Sequence, residues 1–193
     1  FIPTLVYMRD VERFTSLYND ELARTPTGKD PAIKRFMARW SQEEITHSDL
    51  IHRFLIEAGF PATEKWYEEA KQKIPLAYRL SSHITPRITN LLGHHFTGVH
   101  MTWGAINELS TLTGYQRLWK LAKHPVLEYI LTHIAREEAS HSFFYWSVAR
   151  VKLMQSKFRQ QLAKFIIEKF WSPVGQGAKL STESHAVINT LFA

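Results

Sequence analysis

Apolar residues recur along this chain at helical rather than strand spacing. From Ile2 to about Arg24, the residues Leu5, Met8, Val11, Phe14, Tyr18 and Leu22 fall every three or four positions, and Thr25-Pro26-Thr27-Gly28 ends the run. A second helix is predicted from Pro31 to Ala58. Asp30 before Pro31 reads as an N-cap followed by proline at the first helical position, and Gly59-Phe60-Pro61 is the stop. Pro61 to about Lys73 has the pattern of a short helix, after which Ile74-Pro75 and the stretch from Ser81 to Pro86 read as a connection. A third long helix is predicted over about Arg87 to Leu121, with Gly93, Gly98 and Gly104 as interior weak points. A fourth runs from Pro125 to about Met154, and a shorter accessory helix fits Ser156 to Phe170. Beyond Trp171 the run Ser-Pro-Val-Gly-Gln-Gly is loop-like, and the end has too little pattern for an element.

The packing solution these elements imply is all-α, a four-helix bundle with accessory helices. At 193 residues, with 45% hydrophobic and 22% charged, the chain suits one globular domain over residues 1–171, with 172–193 as an extension packing on or trailing from it. The absence of Cys excludes disulfides, thiolate nucleophiles and Cys-ligated clusters, so any metal must take His and carboxylate ligands. No run of eighteen or more apolar residues suggests a membrane span, and no leader is evident. A cytoplasmic or other soluble compartment is expected, and a start at Phe1 inside a helical pattern reads as missing upstream sequence. The net charge of +6 suits acidic partners. Arg150, Lys152, Lys157, Arg159, Lys164 and Lys169 form a basic series, read as a solvated helix side or as a protein or lipid docking surface. No nucleic-acid-binding motif accompanies it.

Candidate chemistry lies in a repeat. Glu44 and His47 are three residues apart, as are Glu138 and His141, which puts each pair on one helix face. Glu12 precedes the first pair, and Glu108 the second, by a nearly equal stretch of chain. Each half of the chain thus offers one Glu from one helix and Glu-x-x-His from the next, the ligand set of a dimetal site inside four helices. Four carboxylates would balance two divalent cations, whereas without metal they would repel one another and take up protons. Oxygen-rich coordination with one imidazole per ion suits Fe or Mn, and iron is favoured because it exchanges electrons with O2. Glu12 is the weakest member, with an ordinary exposed Glu as the competing reading; Asp10 and Glu21 are poorer substitutes. Glu43 and Glu137 read as outer acceptors or surface charges, either able to orient an imidazole N–H.

Over about Leu5 to Met154 the chain resembles the soluble acyl carrier protein desaturases of the ferritin-like superfamily. The segments "FMARWSQEEITHSDLIHRFLIEAG", "MTWGAINELSTLTGYQ" and "ILTHIAREEASHSFFYWSVARVKL" look like that family's second, third and fourth metal helices. The resemblance implies metal-ligand roles for Glu12, Glu44, His47, Glu108, Glu138 and His141, a hydroxyl at Thr111 beside the oxygen-binding side, and an outer carboxylate at Glu137. It further implies oxygen-dependent removal of two hydrogens from an unactivated acyl chain held on acyl carrier protein, electrons from a ferredoxin-like donor, and a homodimer. Phe96, Met101, Trp103 and Leu112 are candidates to border the acyl tunnel, with core packing as the competing reading for each. Thr111 likewise has a plain helix-packing alternative.

Competing functions are another diiron oxygenation, such as hydroxylation, and a non-catalytic metal-binding protein that kept the bundle. A membrane histidine-box enzyme is set aside: His94-His95 and His100 are too loosely spaced and no spanning helix accompanies them, so they read as core or surface histidines.

Overall fold

Among residues 1–192, which the computed structural model describes apart from the side chains of Ser82 and His83, regular structure is helical and includes no strand. The elements are α1 (Ile2–Ala23), α2 (Pro31–Glu57), α3 (Trp66–Gln72), α4 (Leu76–Leu92), a 3-10 turn (Gly93–Phe96), α5 (Thr97–Ala122), α6 (Pro125–Met154), α7 (Lys157–Phe170) and α8 (Ser181–Phe192). The Asp30 side chain accepts from the backbone N–H groups of Ala32 and Ile33, with Pro31 at the first helical position. Its second oxygen accepts from Lys152 Nζ at 3.0 Å, which ties the start of α2 to the end of α6. No helix among the described residues is long and apolar enough to cross a membrane.

The central region departs from the sequence expectation. The third long helix does not run unbroken from Arg87: α4 ends at Leu92, Gly93 takes φ +55°, and α5 begins at Thr97. A positive φ is cheap only for a residue without Cβ, so Gly93 breaks the helix rather than weakening it. The stretch from Ser81 to Pro86 is helical, not a connection, because Leu76, Leu80, Ile84 and Ile88 repeat every fourth residue and carry α4 through Pro86. Pro61 to Lys73 contains only the short α3. The patternless end forms α8, whose Leu191 joins a core cluster with Leu5 of α1 and Leu118 of α5.

The four long helices pack as two pairs, α1 with α2 and α5 with α6, and α2 crosses α6 between them. Two apolar layers fill the bundle. One holds Leu5, Ile51, Leu55, Tyr115, Leu118, Leu131 and Ile134; the other holds Leu22, Ile33, Met37, Trp40, Met101 and Tyr145. Every long helix contributes to both layers. The residues between them, Glu12, Glu44, His47, Glu108, Glu138 and His141, are therefore forced to face one another.

Gly104 serves close packing. A Cβ there would lie 2.3 Å from the Tyr145 ring, which is fully buried and whose hydroxyl meets Met37 Sδ at 3.2 Å. Gly104→Ala is expected to lose roughly 2 kcal/mol, overpacking outweighing the gain in helix propensity. A urea midpoint at or above that of the parent protein would show that the ring moves aside freely.

Candidate metal centre

The polar layer forms two groups of potential ligands whose donor atoms lie within 4.8 Å of one another. Glu12, Glu44, His47 and Glu138 make one; Glu44, Glu108, Glu138 and His141 make the other. All six side chains are buried, and Glu44 and Glu138 belong to both groups. Helical period explains the local geometry: Glu44 and His47, or Glu138 and His141, stack one turn apart on the inward stripe of α2 or α6. Glu12 is 3% exposed, so the reading of it as an ordinary surface Glu is corrected. Asp10 is engaged elsewhere, in ion pairs with Arg9 at 2.6 Å and Lys179 at 2.9 Å, and Glu21 lines a separate cleft with Asp20 and Arg24.

Outer carboxylates hold the two imidazoles crosswise. His47 Nε2 of α2 donates to Glu137 Oε2 of α6 at 2.7 Å, and His141 Nε2 of α6 donates to Glu43 Oε2 of α2 at 2.8 Å. With Nε2 committed outward, each Nδ1 faces the layer. His47 Nδ1 lies 3.2 Å from Glu138 Oε1, and His141 Nδ1 lies 3.1 Å from Glu44 Oε1 and 3.5 Å from Glu108 Oε2. Burial works against ionised Glu43, but His141 and Arg39 hold its pKa below the usual carboxylate range. Glu137→Ala is expected to weaken binding of one divalent ion by roughly 10- to 100-fold, because His47 loses the contact fixing its ring. Competition against a chromogenic chelator measures this, and unchanged affinity for both ions would remove the orienting role.

The donor set fits metal ions on a direct observation. Both nitrogens at Nδ1, both oxygens of Glu138 and Oε1 of Glu44 are buried without a hydrogen-bond partner, despite the short separations among them. Buried polar atoms are nearly always satisfied, so this many in one layer suit a bound positive centre. The crowding also shifts ionisation. Burial, and then the nearby Glu138, push the pKa of Glu44 and Glu108 well up. Burial also disfavours charge on Glu138, yet the neighbouring imidazoles of His141 and His47 outweigh it and hold the group at about 2. Burial likewise opposes the imidazolium forms, but Glu12 and Glu138 raise His47 to about 11, and Glu108 and Glu138 raise His141 to about 10.

Tyr115, which the ligand spacing does not single out, enters the site: its hydroxyl donates to Glu12 Oε1. Its place two turns after Glu108 was the available signal; the partner depends on the α1–α5 register, which spacing does not carry. Beside the carboxylates lies a cavity of about 210 Å³, walled by Glu12, Glu44, Glu108, Glu138, Thr111, Trp103 and Tyr145 and covered by residues 172–176. Tyr7 Oη donates to the Val174 carbonyl at 2.7 Å and Trp171 Nε1 to Asn107 Oδ1 at 3.0 Å, pinning that cover.

Of the tunnel candidates, Trp103 lines this cavity and the other three do not. Met101 is fully buried in the Tyr145 layer, Phe96 packs with Val99 and Ala163 toward α7, and Leu112 lines an outer cleft between α5 and α6 with Leu109 and Trp146. His94, His95 and His100 are outside both ligand groups. His100 Nδ1 sits 2.8 Å from Thr27 Oγ1 and its ring meets the Phe96 ring edge-on.

Burial lowers the His100 pKa to about 4, so across the window from about 6.5 down to 4 the unfolded chain binds the proton and the folded chain does not. The stability from neutral His100 is complete above the unfolded pKa and declines as pH falls, by about 2 kcal/mol at pH 5. Urea midpoints at pH 7 and pH 5 should therefore diverge more in the parent protein than in His100→Asn. Equal pH dependence would contradict it.

The sequence profile of a family described as fatty acid desaturase matches residues 10–170. The chain belongs to the fatty acid desaturase family. Comparison with curated proteins and with solved structures gave no match. The matched span includes all six inward ligand candidates, Glu43, Glu137 and Thr111, while the cavity cover and α8 follow it.

Proposed function

We propose that this protein holds two iron ions in its polar layer and removes two hydrogens from an acyl chain carried on acyl carrier protein. The observation that carries the reading is the set of unpartnered donor atoms on Glu44, Glu138, His47 and His141. Glu12 and His47 would hold one ion, Glu108 and His141 the other, with Glu44 and Glu138 shared between them. Bound iron would supply the activation of O2 that oxidation of an unactivated C–H bond needs, drawing electrons from a ferredoxin-like donor. Manganese is the second candidate for the same oxygen-rich ligands.

The chain's own residues bind, orient and exclude water. Glu137 and Glu43 keep the imidazole Nε2 protons pointed outward. Thr111 places a hydroxyl on the cavity wall next to Glu12 and Glu108, where it would hold a proton near the oxygen-binding side. Trp103 and Phe14 give the acyl chain an apolar wall, and the cover at 172–176 keeps bulk water from the cavity. The net charge of +6 suits acidic acyl carrier protein and a ferredoxin-like partner. A homodimer and a soluble compartment complete the proposal.

The test is anaerobic Fe(II) loading, then addition of O2, a reduced ferredoxin and a panel of acyl carrier protein thioesters, with products read by mass spectrometry. An alkene product is the expected result. A hydroxylated chain would move the protein to another diiron oxygenation, and no product from a fully loaded site would leave a metal-binding protein without this activity.

A further inference from the structure

Helix α4 is amphipathic with its apolar side turned outward. Leu76, Leu80, Ile84, Ile88 and Leu91 form one stripe and all are exposed, Leu76 at 69% and Leu91 at 88%. The inward side holds Pro86 and Thr89, whose hydroxyl is satisfied within its own helix by the Pro86 carbonyl. Burial of apolar surface would favour the opposite orientation, so among the described residues the stripe lacks a partner. At about 1.5 Å per residue it runs for roughly 22 Å along a single face.

The chain segment that carries the stripe has cations and no acid. Between Glu69 and Glu108 the sequence has no Asp or Glu, while Lys71, Lys73 and Arg87 are exposed on and before α4. The 3-10 turn after α4 packs on α7, with the His95 ring against Phe158 at 5.6 Å. Helix α7 is similar in character: Phe158 and Phe165 are exposed among Lys157, Lys164 and Lys169, with Glu168 paired to Lys164 at 3.8 Å. Two copies meeting through α4 would bring its like charges together, since that helix carries no acid of its own. An apolar stripe among cations instead suits a helix lying in the interface of a negatively charged bilayer.

We propose that the outer face of α4, extended by α7, docks this protein on an anionic lipid surface. The contact is peripheral and independent of the metal layer, so metal-free and loaded protein should behave alike. It gives the basic series of α7 a role as headgroup contacts.

Co-sedimentation with vesicles of phosphatidylcholine, alone or mixed with phosphatidylglycerol, tests this directly. The expected result is binding to the mixed vesicles at low salt, roughly tenfold or more tighter than to phosphatidylcholine alone and weakened by added salt. Ile84→Asp combined with Ile88→Asp should reduce that binding by roughly tenfold or more, with far-UV circular dichroism and metal content unchanged. Should that variant fold poorly, Arg87→Glu with Lys164→Glu keeps the stripe and should abolish the preference for phosphatidylglycerol. Three results would overturn the proposal: no binding to either vesicle, binding indifferent to these substitutions, or a solution dimer that the Ile84→Asp/Ile88→Asp pair converts to monomer in a protein that ignores vesicles.

Discussion

Replacement of Glu138 by alanine is expected to leave the protein with less than one bound ion per chain and with turnover lowered by roughly a thousandfold or more. Glu138 is fully buried at the centre of α6 and belongs to both ligand groups. Its Oε1 lies 3.2 Å from His47 Nδ1 and its Oε2 3.7 Å from His141 Nδ1, and neither oxygen has a hydrogen-bond partner. One truncation therefore strips both ions of a ligand, an effect far beyond the loss of an outer contact such as Glu137. Glu168→Ala supplies the control, because that carboxylate is exposed on α7, far from the ligand groups in the sequence, and pairs with Lys164 at 3.8 Å. Elemental analysis and oxygen uptake on the same samples measure both effects, and circular dichroism separates ligand loss from misfolding. Two tightly held ions in Glu138→Ala would refute the shared-ligand arrangement.

The second large effect is stabilisation by metal. Metal-free protein buries four carboxylates around two imidazoles and relieves the repulsion only by holding protons, on Glu44 and Glu108 through burial and on His47 and His141 through their carboxylate neighbours. Divalent ions replace those protons, so binding should release protons and strengthen as pH rises, until hydrolysis of the free ion intervenes. At a hundredfold excess over Kd each site adds about 2.7 kcal/mol, so two sites raise the melting temperature by roughly 10–20 °C for a chain of this size. Scanning calorimetry with Fe(II) under argon, before and after chelation, checks the shift. A melting temperature indifferent to iron would mean that the layer is satisfied without it.

What could be read from the sequence follows from periodicity. Glu44–His47 and Glu138–His141 share faces whatever the tertiary structure, because one helical turn decides it. The alternation of apolar layers around them is set the same way, and so was the all-helical class. Pairings between helices were not legible: that Glu137 reaches His47 and Glu43 reaches His141 depends on how α2 crosses α6, and the Tyr115–Glu12 contact depends on the register of α1 against α5. Helix α4 was obscured by Pro86, a residue that normally argues against a helix interior. Helix α8 is held by Leu191 and Val187 against the bundle rather than by a strong pattern of its own. The cavity cover at 172–176 had only a loop signature, since its role comes from where Tyr7 and Asn107 anchor it.

Anomalous diffraction at the iron edge, from crystals grown with Fe(II) under argon, is the most direct test of the proposed dimetal layer. The expected result is two peaks inside the bundle, one beside Glu12 and His47 and one beside Glu108 and His141, both against Glu44 and Glu138. A map with no peak in that layer, or with iron only at surface histidines, would contradict it.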